Sequence, residues 1–235
     1  MKPMMLISIL VILLTNVYVA WRVFHVFPAV PWCRWTVVAM MMALSVALPV
    51  LFMVGFDGMP IPLAKLLYAL TTSWLFIFLY LLMTFLALDI LRLVHLMPAD
   101  WLQGSWKMSL GISAFLLALF VGGNIHYNHK YRVALNYTSA KPLTRTLKVV
   151  MASDLHLGYH NGRGELARWV DMINDEHPDL VLIAGDIIDI SVRPLLNENM
   201  AEELRRIQAP VVACMGNHEY FATEPQALHF IGDVV

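Results

Sequence analysis

Charge is what this sequence has least of. Of its 235 residues 14% are charged and 59% are hydrophobic, whereas an ordinary soluble domain carries about 25% charged residues. Acid is nearly missing from residues 1–146, where Asp57, Asp89 and Asp100 face ten Lys or Arg, a balance of +7. Residues 147–235 reverse this, with fourteen acids, six Lys or Arg and a balance of −8. The total of −1 therefore hides two portions built for different surroundings. The acidic portion has no basic patch, so no nucleic-acid partner is expected and a nuclease is disfavoured. Cysteine is scarce too. Cys33 and Cys214 make no disulfide framework and no zinc spacing. Cys214 falls in an apolar run, where a thiol is expected to be buried as a small hydrophobe.

The basic portion lacks ionisable side chains over four long stretches, Met4–Ala20, Thr36–Val54, Leu66–Leu88 and Met108–Gly123. A bilayer span needs roughly 20 apolar residues, with about 17 to 25 tolerated. Between them lie short connections with interfacial residues such as Pro28, Trp32, Trp35, Pro60, Pro62, Trp101 and Trp106. The first stretch is not read as a cleaved leader, because no convincing small-residue site precedes Trp21-Arg22 and three more spans follow. Residues 1–123 thus read as a four-helix transmembrane region in contact with the lipid bilayer. With no Asp, Glu, Lys, Arg or His inside the spans, an anchor is favoured over a transporter. Met40, Met41 and Met42 read as packing or lipid-facing residues, and His25 and His95 as interfacial. Four Lys or Arg lie near the membrane on each side, so the positive-inside rule leaves the orientation open. Residues 124–146 read as a polar linker, His126 and His129 included.

From Leu147 the periodicity changes. Leu147–Ala152, Leu180–Ala184 and Pro210–Met215 are short apolar runs expected to be buried strands. Between them, Glu165–His177 and Asn199–Gln208 carry apolar residues at helical spacing. Alternation of this kind predicts a parallel β-α-β-α-β sheet. Polar clusters follow each strand: Asp154-Leu155-His156, then Gly185-Asp186 with Asp189, then Gly216-Asn217-His218-Glu219. The intervals Asp154 to Asp186 and Asp186 to Asn217 are 32 and 31 residues, each about one β-α-β step. All three clusters therefore fall at the carboxyl edge of one sheet, where open α/β sheets bind ligands. Carboxylates, an amide and imidazoles suit hard or borderline divalent metals. A middle carboxylate can bridge two ions about 3.5–4 Å apart, an arrangement that serves phosphoryl displacement. One such cluster alone would read as a helix cap or a turn; three at matched spacing do not.

In order and spacing, D-x-H, G-D-x-x-D and G-N-H-[DE] resemble the calcineurin-like metallophosphoesterases over about residues 145–235. The resemblance implies a multi-pass α-helical membrane region followed by an α/β metallophosphoesterase domain, residues 147–235. That domain would be the first β-α-β-α-β half of a four-layer sandwich. It implies two divalent cations, such as Mn, Fe or Zn. Asp154 and His156 would hold the first ion, Asp186 would bridge, Asn217 would hold the second, and His218 would be the catalytic group beside the phosphate. Asp189 is assigned a supporting role. The family pattern continues with a further His and a Gly-His-x-His motif, whereas this sequence stops at Val235; His229, in an expected helix, is not read as a ligand. The function implied is hydrolysis of a phosphomonoester, phosphodiester or pyrophosphate, with a lipid-linked substrate in keeping with the anchor. The alternative is a non-catalytic membrane scaffold with a truncated phosphoesterase fold. Relatives of similar linker style are exported, which inclines the reading to an extracytoplasmic domain; the oligomeric state stays open.

Overall fold

A computed structural model describes residues 3–28, 30–222 and 224–233. The chain forms two compact units, one of residues 1–55 and 70–135, the other of residues 56–69 and 136–235.

The first unit is helical. Its elements are α1 (Pro3–Val26), α2 (Pro31–Val54), most of α3 (Ile61–Leu93), a short 3₁₀ turn (Ala99–Leu102) and α4 (Trp106–Asn128). Among the described residues, α2, α3 and α4 are long and apolar enough to cross a membrane, while the apolar part of α1 is the shorter Leu10–Val26. The first expected span lies inside α1, although the side chains of residues 3–6 and 9 are outside those described. Pro31 opens α2, where its missing N–H costs nothing. Gly55 closes it with φ 80. Ser105 caps α4 by accepting the Met108 N–H at 3.2 Å. The helices run past the uncharged stretches that predict them and take in Lys65, Arg92 and His126, because a charged side chain does not break helical hydrogen bonding. Val19, Val26, Phe85 and Leu102 form the best-buried part of this unit's core. Most other large apolar side chains on these helices face outward, as a lipid solvent permits. Arg22 pairs with Asp89, which also accepts the Tyr18 hydroxyl at 2.5 Å.

The second unit holds a three-stranded parallel sheet in the order β1 (Val149–Ala152), β2 (Leu180–Ala184), β3 (Val211–Cys214). Val150 pairs with Val181, and Leu182 with Val212. Around it lie α5 (Arg163–Asp175), α6 (Arg193–Asn197), α7 (Met200–Leu204), α8 (Asn217–Phe221) and α9 (Glu224–Gly232). Both crossovers step the same way along the sheet, so right-handed connections put α5 and α6–α7 on one face. There Leu166 and Val170 of α5 pack with Val181, Ile183, Met200 and Leu204. Each such side chain, fully buried, stabilises by about 1.5–3 kcal/mol.

Two expectations need correction. The strands are not buried on both faces: Val149, Met151 and Val212 are 45%, 68% and 56% exposed, and Cys214 is exposed with them. Among the described residues the helices cover one face, so alternate strand residues point away from the core. The helix expected over residues 199–208 starts where expected, with Asn199 as its N-cap at φ 51, but ends early at Leu204, and a further short helix, α6, precedes it. Asn tolerates that left-handed conformation better than most residues.

Candidate metal centre

Each strand hands its chain to a tight polar loop, and the loops are bonded side by side. The Asp154 N–H donates to the Gly185 carbonyl at 3.2 Å, His156 N–H to Asp186 at 2.9 Å, and Leu157 N–H to Ile187 at 2.8 Å. Asp189 N–H returns a bond to Leu157 at 2.9 Å. Asp154, His156 and Asp186 all sit in the left-handed region, with φ of 57, 43 and 51. Non-glycine residues occupy that region at a cost of about 1–3 kcal/mol each and cluster at functional sites when neighbours hold them. The cross-loop ladder is what holds them here.

The second and third loops approach so closely that only glycine fits. A Cβ on Gly185, whose φ is 78, would lie 2.7 Å from the Gly216 nitrogen. A Cβ on Gly216 would lie 2.6 Å from the Asp186 nitrogen and overlap the Asp186 carboxylate. The carboxylate of Asp186 instead accepts the His218 N–H at 2.9 Å. Beneath this contact lies Glu219, fully buried. Its carboxylate accepts the N–H groups of Gly216 at 2.6 Å, Ile188 at 2.9 Å and Asp186 at 3.1 Å. One side chain thus ties the loop after β2 to the loop after β3.

The result is a cluster of His156, Asp186 and His218, with one ligand atom from each within 4.8 Å of the others. The imidazoles of His156 and His218 meet edge to face at 4.3 Å. His218 Nδ1 donates to the Asp189 carbonyl at 3.0 Å, which sets the tautomer and leaves Nε2 with its lone pair. The Asp189 carboxylate lies 3.4 Å from His218 Nδ1 and 3.7 Å from His156 Nδ1. Asp154 stands at the exposed rim, 3.8 Å from His156 Nε2. Asn217 opens α8 with an exposed side chain.

Two imidazoles and a carboxylate in reach of one another are a donor set for a borderline divalent cation. The residues present therefore fit a metal. Of the sequence-predicted residues, His156 and Asp186 fall in this cluster and His218 joins them. The tie made by Glu219 is not visible in sequence beyond its place in the third motif. Tyr68, whose hydroxyl donates to Asp189 at 2.5 Å across 121 positions, has no sequence signal.

Residues 147–233 match the family model described as calcineurin-like phosphoesterase. The chain is 36% identical over 92 residues to a transmembrane protein with metallophosphoesterase domain from Danio rerio, covering 37% of this chain and 21% of that protein. The protein of the same description from Bos taurus is 32% identical over 83 residues, covering 35% and 19%. An uncharacterized metallophosphoesterase from Aquifex aeolicus is 29% identical over 122 residues, covering 49% and 45%. This chain thus spans about a fifth of the length of the first two and under half of the third. No solved structure matches it. The likeness to calcineurin-like phosphoesterases is thus confined to residues 147–233, and it follows a region in which three of the described helices are long and apolar enough to cross a membrane.

Proposed function

We propose that this chain belongs to a membrane-anchored, metal-dependent phosphohydrolase whose site is the cluster at the carboxyl edge of β1, β2 and β3. The observation that carries the reading is the convergence of His156, Asp186 and His218 from three separate loops. In this proposal residues 1–123 are a four-helix membrane anchor and residues 124–146 a linker. Asp154, His156 and Asp186 would hold one ion, and Asp186 and Asn217 a second. Bound divalent ions supply Lewis-acid charge for a phosphoryl group and lower the pKa of water. The chain's own residues do the rest. Asp189 orients His218 through Nδ1, and Nε2 takes up a proton from water and delivers it to the leaving group. The Gly185–Gly216 contact keeps the Asp186 carboxylate against the third loop. A phosphomonoester, phosphodiester or pyrophosphate bond is the target. A lipid-linked substrate accords with the anchor.

The test is turnover of a chromogenic phosphodiester and a chromogenic phosphomonoester by the full-length protein supplied with Mn²⁺. Asp186→Asn is expected to remove most activity. His218→Ala is expected to slow turnover roughly 10²-fold or more, as loss of a general acid does. Metal binding with no turnover of either substrate would instead favour a non-catalytic scaffold.

A further inference from the structure

Residues 56–69 run from the connection before the third apolar stretch into its first four residues, yet they pack as part of the unit that holds the sheet. The helix that begins at Ile61 has 33 residues, about 50 Å at 1.5 Å per residue, against roughly 30 Å of hydrocarbon. Residues from Leu70 onward suffice for a span, which frees the first turns for another task.

Those turns and the loop before them are fastened in three ways. Lys65 pairs with Glu198, whose carboxylate also accepts the Arg163 N–H at 2.9 Å. Tyr159 donates its hydroxyl to Asp57 at 2.7 Å. Phe56, Tyr68 and Tyr159 form an aromatic trio with centroids 5.3–5.8 Å apart. Phe56 is 2% exposed, Ala64 0%, Tyr68 8% and Tyr159 3%, so this is a dry contact and not a loop resting on a surface. At its inner end the Tyr68 hydroxyl donates to the Asp189 carboxylate at 2.5 Å. Asp189 is itself 8% exposed. Its backbone carbonyl accepts from His218 Nδ1, and its carboxylate faces Nδ1 of both His218 and His156. Gly158 gives Asp189 room, since a Cβ there would lie 3.2 Å from the Asp189 Cβ.

We infer that Tyr68 is a positioning residue of the metal centre, acting through Asp189 on His156 and His218. The inference rests on the metal reading above. A carboxylate that orients the imidazoles of a metal centre must itself be fixed in rotamer, and its charge must face the rings. The hydroxyl of Tyr68 occupies one carboxylate oxygen, Oδ2, and leaves Oδ1 toward both imidazoles. Partners of this outer kind typically change metal affinity by 10–100-fold. A tyrosine that sequence assigns to the start of the third apolar stretch thereby completes the support of a centre more than a hundred positions away.

The experiment uses the full chain in lipid nanodiscs with Co²⁺ as the probe, read by visible absorption. Tyr68→Phe keeps the ring of the aromatic trio and removes only the hydroxyl. It is expected to weaken Co²⁺ binding by about 10-fold and to change the absorption band of the bound ion. Asp189→Asn is expected to do the same, and the double variant to be no worse than Asp189→Asn alone. Lys65→Ala loosens the same segment at Glu198 and is expected to leave the absorption band unchanged. Wild-type affinity and band in Tyr68→Phe would overturn the inference while leaving the metal reading in place. The same losses in Lys65→Ala would overturn it too, since docking of the segment and not the hydroxyl would be responsible. No Co²⁺ binding by the wild-type chain would overturn the metal reading and the inference together. Should Tyr68→Phe fail to fold, the Asp189→Asn spectrum decides.

Discussion

At the scale of single residues, the site depends on groups that never touch a ligand. Glu219 is the clearest. It is fully buried and satisfies three backbone N–H groups. Removing it leaves those donors in a dry place, and each buried unsatisfied group costs about 1–3 kcal/mol. Glu219→Ala is therefore expected to destabilise the second unit by at least about 2 kcal/mol, read as a fall in its thermal midpoint. A midpoint equal to the wild type would contradict the tie between the two loops. Glu198 offers a pH test at the same scale. Burial opposes its ionisation, but Lys65 and the Arg163 N–H outweigh that and hold its carboxyl below the usual range. A lowered carboxylate contributes stability above its unfolded pKa, about 4.3, and loses it as pH falls through the folded value. Lys65→Ala is thus expected to lower the thermal midpoint near pH 7, with the gap closing as pH drops below about 4. A gap independent of pH would rule out the ion pair as its source.

Among elements, the loops after β2 and β3 are held together by what they lack, a side chain at Gly185 and Gly216. Gly185→Ala places a Cβ against the Gly216 backbone and puts a left-handed φ of 78 on an L-residue. The expected cost is at least about 2 kcal/mol, with weaker metal binding because Asp186 follows directly. Unchanged stability and affinity would mean the loops part easily. Much of this level was legible in sequence. Asp154, Asp186 and Asn217 recur at one β-α-β interval, and strand ends on one edge of a parallel sheet must converge. What was not legible has two causes. The five residues of α6 are too few to show a helical period, so that helix is not anticipated. Tyr68 and Asp189 lie 121 positions apart, and no local period links an interfacial tyrosine to a strand-end carboxylate. His218 is expected in the same hollow; what sequence does not show is its ring orientation, set by the Asp189 carbonyl.

The whole molecule divides its apolar surface between two uses. On the helices of the first unit it is what a bilayer requires. On the sheet it is a row, Met151, Leu182 and Val212, paired across the three strands with Met151 and Val212 exposed. An uncovered apolar sheet face favours association. Met151→Glu with Val212→Lys is expected to reduce aggregation of this chain in nanodiscs at unchanged metal affinity, as scored by light scattering; loss of folding would contradict an open face. The central claim, that three strand-end loops build a metal centre, is tested most directly by calorimetric titration of Mn²⁺ into the wild-type chain and into Asp186→Asn. Saturable binding that weakens at least about 10-fold in the variant is the result predicted, and absence of saturable binding, or equal binding by both proteins, is the result that contradicts it.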